Sequence, residues 1–289
     1  MAGSPWGGGG HASSTRRCGG AGRLARVSDT WQPEQYARFR AEREQPFHDL
    51  LALVEPVPGG RVVDLGCGTG VLTRVLHEHT GAAETVGVDR SEAMLAQSEQ
   101  HAGEGVRFEQ GDIGTFRGNG LDVVFSNAAL QWVDGHETLF PRLAATLREG
   151  GQLAVQMPMN HDHPSHTVAH EVAREPRHAK ALGGYVRGYP LREVEWYAEL
   201  LARLGFEQQH VRLQVYLHRL AGPEEVVEWV KGSLLTDYRN RLSPEEYEAY
   251  LADFRERLLA ELPDERPHLY PFKRLLLWGR KGAASGGTG

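Results

Sequence analysis

Cysteine is nearly absent. The 289 residues hold two, Cys18 and Cys67, too few for a disulfide framework or a structural zinc site. That scarcity points to a reducing, cytoplasmic compartment. Long apolar runs are missing as well: none approaches the roughly 18 residues that span a bilayer, so no membrane helix is expected. There is no basic excess. Lys and Arg total 32 against 38 Asp and Glu, a net charge of −6, which argues against a dedicated nucleic-acid binder. What remains, 40% hydrophobic and 24% charged residues, is ordinary for a soluble chain able to bury a core.

Glycine is the exception in the other direction, with 35 residues, eight of them in 1–28 and four in 282–289. Residues 1–26 are rich in Gly, Ser and Arg and lack apolar periodicity, so disorder is expected there. Arg16-Arg17 is not followed by the apolar stretch an export signal needs, and export is rejected. Periodic sequence begins near Trp31, and a natural start near Val27 is expected. Residues 282–289 read as a second flexible tail.

Between the tails, strand and helix patterns alternate. Residues 33–54 have helical spacing, with a break expected at Pro46. Short apolar strands are expected at 61–65, 85–89, 106–110, 121–126 and 152–157, separated by helices at 71–79, 91–100 (Ser91 as N-cap) and around 141–147. Strands alternating with helices at this spacing imply βαβ units and a mainly parallel sheet. Helices follow at 165–175 and 190–204, then a strand at 211–217, an almost wholly helical block over 223–262, and a last strand at 272–278. The expected organisation is a tail over 1–28, a core over 29–160, further core helices and a sixth strand over 161–222, a helical cap over 223–268, a final strand over 269–281, and a tail.

The most informative segment is Val62–Gly70, VVDLGCGTG. A strand enters a glycine loop that opens a helix, and the free N–H groups there suit a ligand that approaches the backbone closely. A dinucleotide fingerprint would need glycine at position 71, which is Val71. The pattern is instead D-x-G-x-G-x-G, with Asp64 two residues before Gly66 and Cys67 between Gly66 and Gly68. An acid there would repel a pyrophosphate but tolerate a ligand that carries an ammonium group. Asp89 ends the second strand, 23 residues after Gly66, where a carboxylate can accept both ribose hydroxyls. Asp112 follows the third strand. Taken singly, each acid is most simply a surface cap; three at successive strand ends on one sheet edge point to a nucleoside.

The Asp64–Gly70 spacing resembles motif I of class I S-adenosylmethionine (SAM)-dependent methyltransferases. The resemblance implies SAM as cofactor and a seven-stranded, mostly parallel Rossmann-like α/β sheet with a helical cap inserted before the last strand. It also implies that Asp112 binds the adenine amino group, that Ile113 flanks the ring and Met94 packs on it, and that Asn127 lies at the cofactor. Met94 is equally well read as helix core. The run Ser126–Trp132, SNAALQW, is similar to the trans-aconitate methyltransferases and, more distantly, to the malonyl-carrier-protein methyltransferases, both of which esterify carboxylates. The similarity to the former continues in Trp31-Gln32-Pro33, Leu139–Leu143, Leu153–Pro158 and Glu228-Trp229-Val230. Where that family carries Gly-Leu-Arg-Pro on the cap, this chain has Lys231–Tyr238, KGSLLTDY.

A carboxylate is already ionised at neutral pH, so its methylation requires no general base. Catalysis would rest on alignment and exclusion of water, and no catalytic residue is assigned. Candidate anion holders are Arg40 and Arg43 on the first helix and Lys231 on the cap, each also readable as a solvated charge. Tyr36, Gln131 and Trp132 are candidates to wall the site, and His161 to donate to the acceptor. The histidines 161, 163, 166 and 170 are discounted as a metal site because Pro164 is expected to start the helix and strand His161 and His163 in a loop. No metal is expected, and Cys67 is given no nucleophilic duty. The reading is a small-acid O-methyltransferase; N- or C-methylation of a secondary metabolite and a non-catalytic SAM-binding protein stay open. The partner is a small carboxylic acid, without nucleic acid or membrane.

Overall fold

The computed structural model describes residues 40–282, with side chains from residue 44 onward. Residues 1–39, Tyr36 among them, and 283–289, which hold the expected tails, lie outside the described residues. Seven strands form one sheet in the order β3-β2-β1-β4-β5-β7-β6: β1 (Arg61–Leu65), β2 (Glu84–Asp89), β3 (Val106–Gln110), β4 (Leu121–Asn127), β5 (Leu147–Pro158), β6 (Phe206–Leu220) and β7 (His268–Lys281). The first five pair in parallel, and β7 runs antiparallel to both β5 and β6. A parallel sheet is covered on both faces. Here Val62, Val123, Phe125 and Leu276 pack into one core, while Val63, Leu65, Val124 and Leu277 pack into another.

The helix α1 (Arg40–Leu51) covers the first of these faces and runs straight through Pro46, which corrects the break expected there. A proline inside a helix costs about 3 kcal/mol. It is offset by packing: Phe47 and Leu50 are fully buried, and Phe47 meets Phe125 edge-on at 5.5 Å. On the same face α2 (Val71–Thr80) follows the glycine loop, and α3 (Glu92–Ser98) follows β2. Ser91 caps α3 as expected, its hydroxyl accepting from Met94 N at 3.2 Å. The other face carries α4 (His136–Thr146) and α7 (Val194–Arg203); between β5 and α7 come α5 (Pro164–Arg174) and α6 (Pro176–Ala181).

The cap stands where it does because of strand length. β5 stops pairing at Pro158, opposite Arg274, but β6 and β7 continue as a two-stranded ribbon to Leu220 and His268. Three helices join those ends, α8 (Glu224–Lys231), α9 (Thr236–Arg239) and α10 (Pro244–Glu261). Trp229 of α8 is buried against Tyr270 and Phe272 of the ribbon, both at 5.7 Å. Tyr250 of α10 donates to the Ala169 carbonyl of α5 at 2.8 Å. The cap is thereby fixed beyond the carboxyl end of β5. Among the described residues no helix is long and apolar enough to cross a membrane.

Candidate active site

The glycine loop leaves β1 at the carboxyl edge. Gly66, Gly68 and Gly70 all have positive φ, at 81°, 55° and 76°. A Cβ on Gly66 would lie 2.2 Å from Cβ of Ala129, so the loop presses directly on the chain that follows β4. A Cβ on Gly68 would meet nothing within 4 Å, so here the backbone faces open space. The N–H groups of Gly66 and Cys67 both donate to the Val88 carbonyl, at 2.7 and 3.1 Å, which ties the loop to β2.

Asp89, the last residue of β2, accepts from Gly68 N through one oxygen and from Ser91 N through the other, both at 2.9 Å. Each oxygen keeps lone-pair capacity for a further donor. Asp64 is turned beneath the loop: it is buried and accepts from the Thr73 hydroxyl at 2.6 Å. Burial raises its carboxyl to about 7, against the opposing hydrogen bond from Thr73, with Asp89 adding to the rise. Asp112 is exposed, its carboxylate held by Gly114 N at 2.6 Å. Ile113 reaches within 3.6 Å of where a Gly66 side chain would stand. Met94 is half-buried on α3. Cys67 is buried, and burial together with two nearby acids drives its thiol far up, away from the reactive thiolate.

The Asp64 shift has a measurable consequence. Between about pH 3.8 and 7 the folded chain retains a proton that the unfolded chain releases. Stability from this group is therefore present at low pH and lost as pH rises. Asparagine cannot ionise. The stability of Asp64→Asn relative to wild type is expected to increase from pH 4.5 to pH 8 in urea titrations; a difference constant with pH would contradict the assignment.

Beyond the loop, the chain after β4 turns through Ala128 at a positive φ of 54° into a short 3-10 turn, Leu130–Trp132. Asn127 Oδ1 is buried without a hydrogen-bond partner. Gln131 is buried and donates to the Ala128 carbonyl at 2.6 Å. The half-buried Trp132 carries the Arg187 guanidinium on its ring face at 4.0 Å. His161, beyond β5, lies against the Tyr189 ring, tilted by 41° with centroids 5.6 Å apart. The structure thus joins the glycine loop, Ala129, Trp132 and Arg187 in one line of contacts, with the Trp132 N–H donating to the Ala129 carbonyl at 3.1 Å.

Arg40 and Arg43 lie on α1, but their side chains are outside the described ones. Lys231 pairs with Glu228 at 3.1 Å and lines a cavity of about 400 Å³ with Arg239 and Tyr247 of the cap, so it is not brought to this line. A cavity of about 420 Å³ lies at the opposite, amino edge of the sheet. Its cations, Arg148 and Arg280, are paired with Asp122 and Glu55, so that cavity offers no uncompensated charge.

His163 caps α5 from the loop side, while His166 and His170 face Tyr189 at 5.9 and 5.1 Å. Burial lowers His163 and His170 to about 4 and holds His166 well below the usual imidazole range, so these three are neutral at pH 7. Among the described residues one group, Glu175, His178 and Asp253, brings metal-type donors together. Its carboxylates are already paired with Arg177 and Arg257. Sequence reasoning missed Arg187 and Tyr189. Their only local signal is an Arg between two tyrosines in Tyr185–Pro190, YVRGYP, which matches no motif.

The strand order, the glycine loop and the acid at the end of β2 define a class I SAM-dependent methyltransferase. A family model described as a methyltransferase domain matches residues 56–205. The chain is 42% identical over 253 residues to a trans-aconitate 2-methyltransferase of Deinococcus radiodurans, covering 86% of this chain and 96% of that one. It is 38% identical over 258 residues to its counterpart in Variovorax paradoxus, covering 88% and 99%. The YcgJ protein of Bacillus subtilis, 15% identical, superposes with a TM-score of 0.54 over 83% of this chain and all of its own, a likeness of fold. The chain belongs to the trans-aconitate 2-methyltransferase family and is a SAM-dependent methyltransferase.

The residues present fit that cofactor. Gly68 leaves its backbone open to a ligand, Asp89 has lone pairs to spare for a diol, and Asn127 offers a buried, unpaired oxygen. Bound there, SAM supplies an electrophilic methyl carbon on a cationic sulfur.

Proposed function

We propose that the protein transfers a methyl group from SAM to one carboxylate of a small organic acid, trans-aconitate in the first instance, giving a monomethyl ester. The observation that carries this reading is the reach of the similarity. It spans 96–99% of the relatives that bear that activity in their names, and so includes the cap, whose Asp237 faces Arg187 beside Trp132. In this reading Asp89 holds the ribose hydroxyls, Asp112 and Ile113 border the adenine, Met94 packs on it, and Asn127 lies beside the methionine end of the cofactor. Trp132 and Gln131 wall the acceptor. This is a cytoplasmic enzyme acting on a free acid.

The chemistry asks little of the protein beyond placement. A carboxylate, with a reference pKa near 4, attacks without losing a proton, and His163, His166 and His170, held neutral, have none to remove. Charge on the anion and on the sulfonium is dispersed as they react, so a site closed to water by the cap favours the step. Alignment of the two reactants can supply roughly 7–11 kcal/mol of the barrier.

Incubation of the full chain with methyl-labelled SAM and a panel of tri-, di- and monocarboxylic acids tests the proposal. Label is expected on trans-aconitate in a form that mild base releases as methanol. A base-stable label would favour N- or C-methylation. No transfer to any acid, with S-adenosylhomocysteine still bound, would contradict the proposal.

A further inference from the structure

Residues 185–193 have no regular secondary structure and form a strap that meets Trp132, after β4, and His161, after β5. Arg187, in the middle of it, is held by its ring-face contacts, its Nε side and its backbone. Its guanidinium lies over Trp132 at 4.0 Å and within 5.9 Å of the Tyr189 ring. Its Nε faces Asp237 of α9 at 3.7 Å. Asp237 is steadied in turn by the Tyr185 hydroxyl, which donates to it at 3.3 Å, and Arg241 covers the Tyr185 ring at 3.8 Å. The Arg187 backbone N–H donates to the Tyr238 hydroxyl, again on α9, at 3.3 Å.

The arginine side chain is only 9% exposed. Its two terminal nitrogens make no hydrogen bond to any described residue, although each carries donors in a planar fork. Taking a charge out of water and leaving its donors unpaired is costly. Asp237, at the Nε side, offsets part of the charge and leaves the outer end of the fork for a ligand. Three more polar atoms nearby are buried without partners: the Tyr189 hydroxyl, His161 Nδ1 and His170 Nε2. All three belong to rings in contact around Tyr189.

A guanidinium with its terminal nitrogens unpaired, close to the unpaired Tyr189 hydroxyl and His161 Nδ1, matches a carboxylate in shape and charge. It does not suit the reacting carboxylate. Oxygens gripped by two N–H groups have their lone pairs engaged and make poor nucleophiles. In the chain of contacts Gly66–Ala129–Trp132–Arg187, moreover, it is Trp132 that joins Arg187 to the glycine loop. We infer that Arg187, with Tyr189 and His161, holds a carboxylate of the acceptor other than the one that is methylated. The enzyme thereby selects di- and tricarboxylates over monocarboxylates. The inference rests on the acceptor being a carboxylic acid.

The test compares trans-aconitate with trans-2-butenoate, which keeps the double bond and one carboxylate. Wild type is expected to favour the tricarboxylate by about 100-fold or more in kcat/KM, the scale of losing one charged, bidentate contact. Arg187→Met should lower kcat/KM for trans-aconitate by about 100-fold, chiefly through KM. Turnover of the monocarboxylate and affinity for S-adenosylhomocysteine should be preserved, which shows that the variant is folded. Arg187→Lys, with a point charge but no fork, should recover part of the loss. Arg187→Met with an unchanged KM for trans-aconitate, or with equal losses on both acids, overturns the inference while leaving the proposed function intact. Wild type that methylates neither acid contradicts the proposed function, and the inference with it.

Discussion

Replacing Asp89 by alanine is expected to reduce affinity for S-adenosylhomocysteine by at least about 100-fold. The carboxylate joins Gly68 N to Ser91 N, each at 2.9 Å, so it sets both the loop and the entry of α3. Hydrogen bonds to a charged group contribute about 1.5–3 kcal/mol each, and those made to the ribose would be lost together with the two that shape the site. Asp89→Asn separates these roles. Its amide oxygen can still accept one backbone N–H, so it should retain more thermal stability than the alanine variant and yet bind far more weakly than wild type. Calorimetric titration of both variants, alongside thermal melts, is the measurement. Wild-type affinity in Asp89→Ala would remove the residue from the cofactor site.

The second large effect is expected from two neighbouring glycines that should fail in different ways. In Gly66→Ala the new methyl carbon would overlap Ala129 Cβ at 2.2 Å, and the φ of 81° is unfavourable for alanine. Overpacking of this kind costs about 1–3 kcal/mol, so both the melting temperature and cofactor affinity should fall as the loop and the chain after β4 separate. In Gly68→Ala the methyl would project into open space at a φ of 55°, a conformation that costs an L-residue roughly 1–2 kcal/mol. Its melting temperature should fall less, whereas binding should fall steeply because the methyl occupies the surface the cofactor must approach. If Gly68→Ala bound S-adenosylhomocysteine as wild type does, the cradle would lie elsewhere.

The parts of this molecule that could be read from the chain are those whose cause is local. Val62–Gly70 announces strand, loop and helix within nine residues, Ser91 caps the helix it precedes, and Asp89 ends the strand it belongs to. Parallel strands with short connections then fix the sheet edge on which those residues meet. The features that could not be read depend on partners distant in sequence. Pro46 stays inside α1 because Phe125, from another layer, packs on Phe47. β6 and β7 run well past the expected 211–217 and 272–278, because the ladder between them continues through residues with no apolar alternation, such as Gln208 and Arg280. Arg187 draws its setting from Trp132 and Asp237, each about fifty residues away. Lys231 looked equally suitable as a charge on the cap, but Glu228, one helical turn before it, already holds it.

The proposed arrangement sets a sulfonium nucleoside over the glycine loop with its sugar on Asp89, and an acid beyond it at Trp132. A crystal structure of the full chain with S-adenosylhomocysteine and trans-aconitate tests that most directly. The ribose is expected on Asp89, one carboxylate on the Arg187 fork, and a second facing the sulfur from the Trp132 side. A nucleoside bound away from Gly66–Gly70, or an acid that touches neither Trp132 nor Arg187, would contradict it.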